Sequence, residues 1–577
     1  MEYKLWDPLE YYLTDGRERY SQYAKESFDQ HLQDSGVDEQ ENQLLAEAYE
    51  SSEQECKKLK NSKEWRIFYG ILAALVIILG IGFLIAYEEG WAFPIIGCCL
   101  ILAGGLWLFG KVIPDYKSLG EKLAEKTEEA ALLLVPPRTQ LERLDRFFDP
   151  GESRMLTEKT VPELHFHSFC SRQHQSCLEA LDYRHPADRS VSVTNTLAGD
   201  FRGNPFLFTT VLQHTMRDYE YEGTKDIHWE EKQEREVQKE RTYTDSNGNT
   251  QIEYYTVKET VMIPRSQTLK AYKTAPKPYY SKASSLGYGH PMAPDLCFSR
   301  YPKHIQNKSA ERVQSQVIRE GRTLRNKSER AIRDGQEFLM MANEEFEVLF
   351  GATDRNNDHQ FRLLFTPQAQ NNMVALLKDS ILIGDEFTFC KYGKYNTISC
   401  DEWLLKESPS HYHDYSVQEA RKNYLEHQQT YFRRLFGTFA PLLAIPGYHE
   451  SFSLMPQGET VEKGNFAECE HEVMANQLPL NQLVTGDTRT EAILKTRLIG
   501  TDGEKDLVEV TARGYTTRNR VETIEVKGED GEKHDVDVHW VEYIPRVKTT
   551  TISIEPMREE EQSGGVCFHG LYVRIVQ

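Results

Sequence analysis

The longest hydrophobic stretches lie near the start of the chain. Ile67 to Tyr87 (IFYGILAALVIILGIGFLIAY) contains no charged residue, and after Glu88, Glu89 and Gly90 a second apolar run extends from Trp91 to Gly110. About 20 helical residues cross a hydrocarbon core about 30 Å thick, so the pattern predicts two transmembrane helices joined by a tight turn. A single buried helix is disfavoured, because each glutamate would cost about 2.5 to 3.5 kcal/mol at mid-membrane. Trp65, Tyr87, Trp91 and Trp107 stand near the span ends, where amphipathic rings favour the headgroup region. Gly70, Ala74, Gly80, Gly82, Gly104 and Gly105 offer the small surfaces that close helix packing uses.

Outside this hairpin the periods alternate. Residues 1–65 are polar with scattered apolar positions, predicting a helical segment interrupted near Asp34 to Gly36. From Lys117 to Phe148 the spacing of Leu119, Leu123, Ala130 and Leu133 predicts a helical stalk, broken by Pro136 and Pro137 and resumed at Leu141. Between 191 and 300 the pattern turns to strands, with VQKERTYTD and IEYYTVKETVMI on either side of Ser246 to Asn249, whose Asn-Gly is a strong hairpin signal. The end of the chain repeats this plan: RVETIEVKG, a turn at Glu529, Asp530 and Gly531, then VDVHWVEYIPRVKTTTISI. At an offset of 281 residues Ile263, Pro264 and Arg265 fall on Ile544, Pro545 and Arg546, which implies a duplicated β-rich unit with an Ile-Pro-Arg kink in each copy. Between the copies, VLFG and QFRLLF read as strands, and Thr366-Pro367 opens a helix with Met373, Leu376 and Leu377 on one face. Short strands ILI, FTF and TIS follow, and Ser416 with Glu419 forms a capping box for a helix to about Leu435.

The expected fold is therefore a membrane-anchored α+β chain. Its parts are a cytoplasmic helical segment (1–65), a transmembrane helical hairpin (66–113), a helical stalk (114–190) and a β-rich domain (191–300). A basic helical connector (301–345), an α+β domain (346–450) and a β-rich C-terminal domain (451–577) complete it.

Composition narrows the function. A length of 577 residues allows roughly three or four folding units. The formal net charge of −21 argues against nucleic acid as a partner, since phosphate backbones are held by clustered Lys and Arg. Ten cysteines without a Cys-x-x-Cys read as reduced thiols facing a cytosol. The N-terminus lacks the pattern of a cleaved secretory signal. Lys57, Lys58, Lys60, Lys63 and Arg66 precede the first span and Lys111, Lys117, Lys122 and Lys126 follow the second, whereas the turn has no cation. The positive-inside rule then places both termini in the cytoplasm of a two-span cell-membrane protein.

Residues 343 to 379 carry an acidic residue and Phe (Glu345, Phe346), a second Phe (Phe350), a polar turn from Asp354 to Asp358, and an apolar stretch ending in Leu364, Phe365, Thr366 and Pro367 before a helix with Met373. This segment resembles a mostly bacterial family known as domain of unknown function 3137, with Phe365 where that family more often has Leu. FRGNPFLF, residues 201 to 208, resembles a second block of it. The resemblance covers about residues 190–440 and is compatible with an N-terminal membrane hairpin; it implies no reaction and no catalytic residues.

Candidate chemistry is sparse. HFHSFCSRQHQSC places His167, Cys170, His174 and Cys177 at helical spacing, and neighbouring pairs could chelate zinc. The outer two would lie about 15 Å apart along a helix, so Cys170, His174 and Cys177 are metal candidates behind the expectation of an ordinary packed helix. Asp354, Asn356 and Asp358 mimic the start of a calcium loop, but His359 and Phe365 occupy the Gly and Glu positions. SSLGYGHP lacks a third glycine and the Lys-Ser/Thr of a phosphate loop, and no Gly-x-Ser-x-Gly, His-Glu-x-x-His or kinase set occurs. No cofactor is implied. From Arg300 to Asp334 ten Lys or Arg face four Asp or Glu, with an apolar line at Ala310, Val313, Val317, Leu324 and Ala331. Arg312, Arg319, Arg322, Arg325 and Arg330 are thus candidates for contact with anionic lipid or an acidic partner, against a helix that packs on its own protein. The expected function is a non-enzymatic interaction or scaffold module at the inner membrane face. Its partners are the bilayer through residues 67–113 and other proteins. The rivals are an enzyme of unrecognised class using acid-base or metal chemistry, and an oligomeric channel or transporter subunit, which spans without an ionisable residue disfavour.

Overall fold

The computed structural model describes residues 7–85, 92–186, 188–244, 250–335, 338–379, 383–406, 408–452, 454, 465–502, 505–556, 565–568 and 571–576. The expected turn at Glu88 to Gly90 with Tyr87 and Trp91, the Asn-Gly turn at 246–249 and most of ILI lie outside these residues.

Helices α1 (Asp7–Tyr11) and α2 (Arg17–Ser35) open the chain, and Gly36, at φ +66°, ends α2 in the left-handed region where the sequence predicts an interruption. Asp38 then accepts from the N–H groups of Gln40 and Glu41 and starts α3 (Glu39–Ile85), a single helix of 47 residues. The chain returns through α4 (Ala92–Trp107) and a π-helical turn at Leu108–Val112 into α5 (Ile113–Leu144), so that α4 and α5 lie along α3. Backbones touch where side chains vanish: a Cβ on Gly97 would stand 2.7 Å from the Gly80 carbonyl, and one on Gly104 3.2 Å from that of Ala73. Gly82 and Gly105 face open space, and Gly97 does the work expected of them.

The expected break at Pro136 and Pro137 is corrected: α5 runs through both. Ala130, Pro137, Leu141 and Leu144 form its buried line, and Asn42 of α3 donates to the Pro137 carbonyl at 3.5 Å, so packing outweighs the lost backbone bonds.

Shorter helices follow: α6 (Glu152–Thr160), α7 (Arg172–Ala180), α8 (Ala310–Arg333), α9 (Glu344–Phe350), α10 (Asp358–Leu364), α11 (Pro367–Lys378), α12 (Val417–Leu443), α13 (Glu468–Gln477) and α14 (Leu480–Leu483). VLFG and QFRLLF fall in α9 and α10, which corrects the strand reading. Asn343 and Asn357 cap them, accepting from Phe346 N at 3.1 Å and Gln360 N at 3.0 Å. Phe346 and Phe350, and Phe361 and Phe365, then meet at helical i,i+4 spacing in one aromatic cluster with Phe298. The Ser416 cap operates, and α12 extends past Leu435 to Leu443. Residues 1–65 do not stand apart from the body: the Tyr20 and Tyr12 rings lie 4.5 Å from Phe432 and Phe436 of α12.

Two antiparallel sheets complete the fold. Strands β1 (Leu164–Phe166), β2 (Val191–Phe201), β3 (Asn204–Thr244), β4 (Thr250–Gly289), β5 (Cys297–Arg300), β6 (Phe389–Tyr392) and β7 (Tyr395–Ser399) order as β1-β2-β3-β4-β7-β6-β5. Strands β8 (Ile493–Asp502), β9 (Lys505–Lys527), β10 (Lys533–Pro556), β11 (Gly565–Phe568) and β12 (Leu571–Val576) order as β11-β12-β10-β9-β8. The expected Ile-Pro-Arg kinks are absent: Pro264 pairs with Glu230 and Pro545 with Tyr515 inside unbroken strands. Beyond the sheet bodies each hairpin is only two strands wide, so a proline at these positions turns its missing donor to an open edge.

Both β regions run helix, short strand with a bulge, long strand and long return strand, with the bulges at Val193/Asn195 and Leu498/Gly500. They meet at an antiparallel bridge between Ser171 and Phe466, and the β9–β10 ribbon lies on the β3–β4 ribbon. Ile227, Leu269 and Ala271 pack there against Val536 and Val538.

Candidate functional site

The densest set of reactive side chains sits where the two β regions join. His165 and Phe166 belong to β1, and the His167 N–H donates to the Ala198 carbonyl at 2.9 Å. Ser171 caps α7 by accepting from His174 N at 3.0 Å, so the helix begins only at Arg172. His167 and Cys170 therefore precede the helix, which corrects the expected single face of four ligands. His174 is buried and donates from Nε2 to the Phe206 carbonyl at 3.0 Å; burial pushes its pKa down to about 3 and keeps the ring neutral. Cys177 reaches the Leu454 carbonyl at 3.7 Å. Cys170 lies beside Cys469, and that contact together with burial holds the Cys469 thiol well above its usual range. Among the described residues no three His, Cys, Asp or Glu side chains are grouped to hold a metal ion.

Acidic and imidazole groups that the sequence reading passed over come from α13. Glu470 is buried and accepts from Thr196 Oγ1 at 2.6 Å and from Cys170 N at 3.4 Å. Burial outweighs these bonds and the nearby Arg154 charge and pushes its pKa up to about 7. Glu472 is held by Val193 N at 2.7 Å and Lys495 Nζ at 2.8 Å. His471 donates to Asp506, as do Arg172 and Thr501. Burial raises the Asp506 carboxyl, but the His471 and Thr501 bonds and the adjacent charges leave it below its ordinary value. One signal was present in the sequence: Phe169 to His174 and Phe466 to His471 share Phe-x-x-x-x-His, and these two phenylalanines meet at 5.3 Å.

In front of this junction lies a cavity of about 990 Å³, whose polar lining includes Arg154, Glu158, His167, Asn195, Thr196 and Lys406. Thr196 connects it to Glu470, and the His167 Nε2 stands 3.8 Å from Asp200. The cavity offers cations, a carboxylate and an imidazole that could hold a small polar ligand. No protein-family model, curated protein or solved structure matches the chain.

Within the basic segment Ala310–Arg333 forms one continuous helix, α8, which Gly321 does not interrupt; the Glu344 side chain lies where a Cβ on Gly321 would stand. Val313, Val317 and Ala331 of the apolar line are buried on the protein itself. Arg312, Arg319, Arg322, Arg325 and Arg330 are all exposed, and Arg325 pairs with Glu344 at 3.1 Å. The mimic of a calcium loop is used internally: Asp354 and Asn356 accept from Ser299 N and Cys297 N, and Asp358 binds Arg355.

Proposed function

We propose that the chain is a two-span cell-membrane protein whose α+β body faces the cytoplasm and binds protein partners at the inner membrane face. The observation that carries this is the surface of α3 and α4. Ile71, Leu75, Ile78, Leu79, Ile95 and Leu102 are exposed, and only 11% and 17% of the most apolar windows of the two long helices is buried. A core helix of a soluble protein would bury such a surface, and a patch of this extent left in water is an aggregation liability. The cationic flanks support cytoplasmic termini by the positive-inside rule. Arg66 pairs with Asp115 at 3.1 Å and Lys126 with Glu55 at 3.3 Å, linking the two chain directions just beyond the apolar run.

The shared element order and bulges of the two β regions support their reading as copies of one unit. The resemblance to domain of unknown function 3137 belongs to this reading, and its phenylalanines serve the core. The cavity at the junction favours a second role in binding a small polar ligand.

The test is alkaline carbonate extraction of membranes carrying the full chain, together with labelling of cysteines placed at Glu88 and near the C-terminus. Retention in the pellet, with Glu88→Cys labelled from outside and the C-terminal site protected, is expected. Release into the supernatant would overturn the anchor.

A further inference from the structure

Helix α8 carries its positive charge along one line. Arg312, Arg319, Arg322, Arg330 and Arg333, with Ser315 and Asn326 between them, follow one another at steps of three or four residues, all exposed. At about 100° per residue they fall within about 80° of the helix circumference and extend over about 32 Å, opposite the buried Val313, Val317 and Ala331. No carboxylate stands in the line; Glu311 and Glu329 lie on its flank beside the exposed Ile318 and Ile332. The one ion pair these five arginines make among the described residues is Arg319 with Glu320 at 3.9 Å, and Lys303 also holds Glu320, at 3.1 Å. Like charges at such spacing repel, so the neighbours Arg319 and Arg322, and Arg330 and Arg333, work against the helix on a chain with an overall charge of −21.

We infer that this line binds an acidic segment of a partner protein, one that presents carboxylates over about 30 Å. This names the chemistry of the partner binding proposed above and rests on it. The planar guanidinium takes a carboxylate in a two-pronged hydrogen bond and keeps its charge at any physiological pH. One such pair at a surface is weak, and several in a row on a rigid helix add up. Ile318 and Ile332, exposed at the edge of the line, offer the same segment an apolar contact. The acidic balance of the chain repels a polyanion elsewhere, which confines recognition to α8.

Position selects a protein over anionic lipid. Helix α3 joins the core at the N-terminal end of α12, where Asn42 accepts from Val417 N at 2.9 Å. Helix α8 packs on α9 and α9 on α11, and Asn372 of α11 donates to the Ala444 carbonyl at 3.3 Å, at the C-terminal end of α12. Helix α12 is about 40 Å long, and α3 continues for about 36 Å from Asn42 before it reaches Arg66 and the apolar run. Attraction to a charged bilayer fades within a Debye length, about 8 Å at physiological salt.

The test uses the full chain in nanodiscs of neutral phosphatidylcholine and a fluorescent glutamate–alanine peptide of about 20 residues, long enough to cover the line as a helix. Binding followed by anisotropy at low salt is expected to weaken about tenfold or more when Arg319→Glu, Arg322→Glu and Arg330→Glu are combined. It should stay unchanged in a control reversal on the β3–β4 ribbon, Lys232→Glu with Arg241→Glu and Lys258→Glu. A photo-crosslinker at Asn326 should label the peptide, and one at Gln314, exposed but off the line, should not. Peptide binding that survives the α8 reversal, or none in the parent, would overturn the surface. Displacement of the labelled peptide by phosphatidylserine vesicles or single-stranded DNA at lower charge concentration than by unlabelled peptide would overturn the choice of a protein. In native membranes the crosslinker at Asn326 separates this inference from the reading beneath it. Loss of the α8 adduct while another face still crosslinks stoichiometrically to a protein removes α8 and keeps partner binding, whereas no protein adduct from any face removes both.

Discussion

Replacing Glu470 with glutamine removes a charge that folding works against. Burial raises this carboxyl from 4.5 to about 7, which corresponds to about 3 kcal/mol of destabilisation once both states are ionised. The sign follows from proton binding. Between pH 4.5 and 7 the folded chain keeps a proton that the unfolded chain has released, so stability falls as pH rises through that window. Below it the contribution vanishes, and above it the full penalty persists. Glutamine keeps an oxygen for Thr196 and Cys170 N but brings an amide that needs its own partner, so about 1 to 3 kcal/mol of gain is expected above pH 7. For a body of this size that is a few degrees in Tm. Thermal unfolding of the full chain in mild detergent, followed by intrinsic fluorescence from pH 4.5 to 8.5, should show Glu470→Gln pulling ahead of the parent as pH rises. Other titrating groups are common to both proteins and cancel in the difference. A flat difference, or a variant less stable at pH 8, would refute the reasoning.

Three further outcomes are expected. Burial lowers the pKa of His427 from 6.5 to about 4, so it contributes a loss of stability as pH falls through that window, and His427→Phe, in place of a ring tilted against Trp403, should shrink the acid-side fall in Tm. Arg355 and Glu347 are both buried and joined at 2.6 Å; Glu347→Ala leaves the guanidinium to Asp358 and the Ala352 and Leu339 carbonyls and should cost about 1 to 3 kcal/mol, visible as a drop in Tm, with an unchanged Tm counting against it. Gly97→Leu drives a side chain into the Gly80 backbone and should destabilise the helix pair by about 1 to 3 kcal/mol in detergent unfolding, whereas Gly82→Leu, in open space, should not.

Much of the architecture was legible where one period dominates over many residues. The two apolar runs, the alternating ribbons and the Thr366 and Ser416 caps carry local signals that tertiary contacts reinforce. Misreadings fell where short apolar blocks admit two periods. VLFG and QFRLLF look like buried strands until the asparagine caps and the i,i+4 phenylalanines are considered together. Pro136 was read as a break and Pro264 and Pro545 as kinks, yet packing or an open strand edge accommodates each. The junction cluster was hidden for another reason: Glu470 and Thr196 are 274 residues apart, and the cavity wall between them exists only after the two β regions meet. The faint echo of Phe169–His174 in Phe466–His471 marks that meeting point in the sequence.

The unbroken course of α3 has a mechanical consequence. From Glu39 to Ile85 it is a rod of about 70 Å, geared to its return partner by the Arg66–Asp115 and Lys126–Glu55 pairs. At its N-terminal end Asn42 grips both sides, donating to Gln140 at 3.2 Å and accepting from Val417 N at 2.9 Å at the start of α12. A rotation of the apolar end by one residue step, about 100°, has no hinge within the rod to absorb it and would turn Asn42 out of that grip. Torque applied at the apolar end of the rod would thereby reach the first turn of α12, the helix that crosses the core.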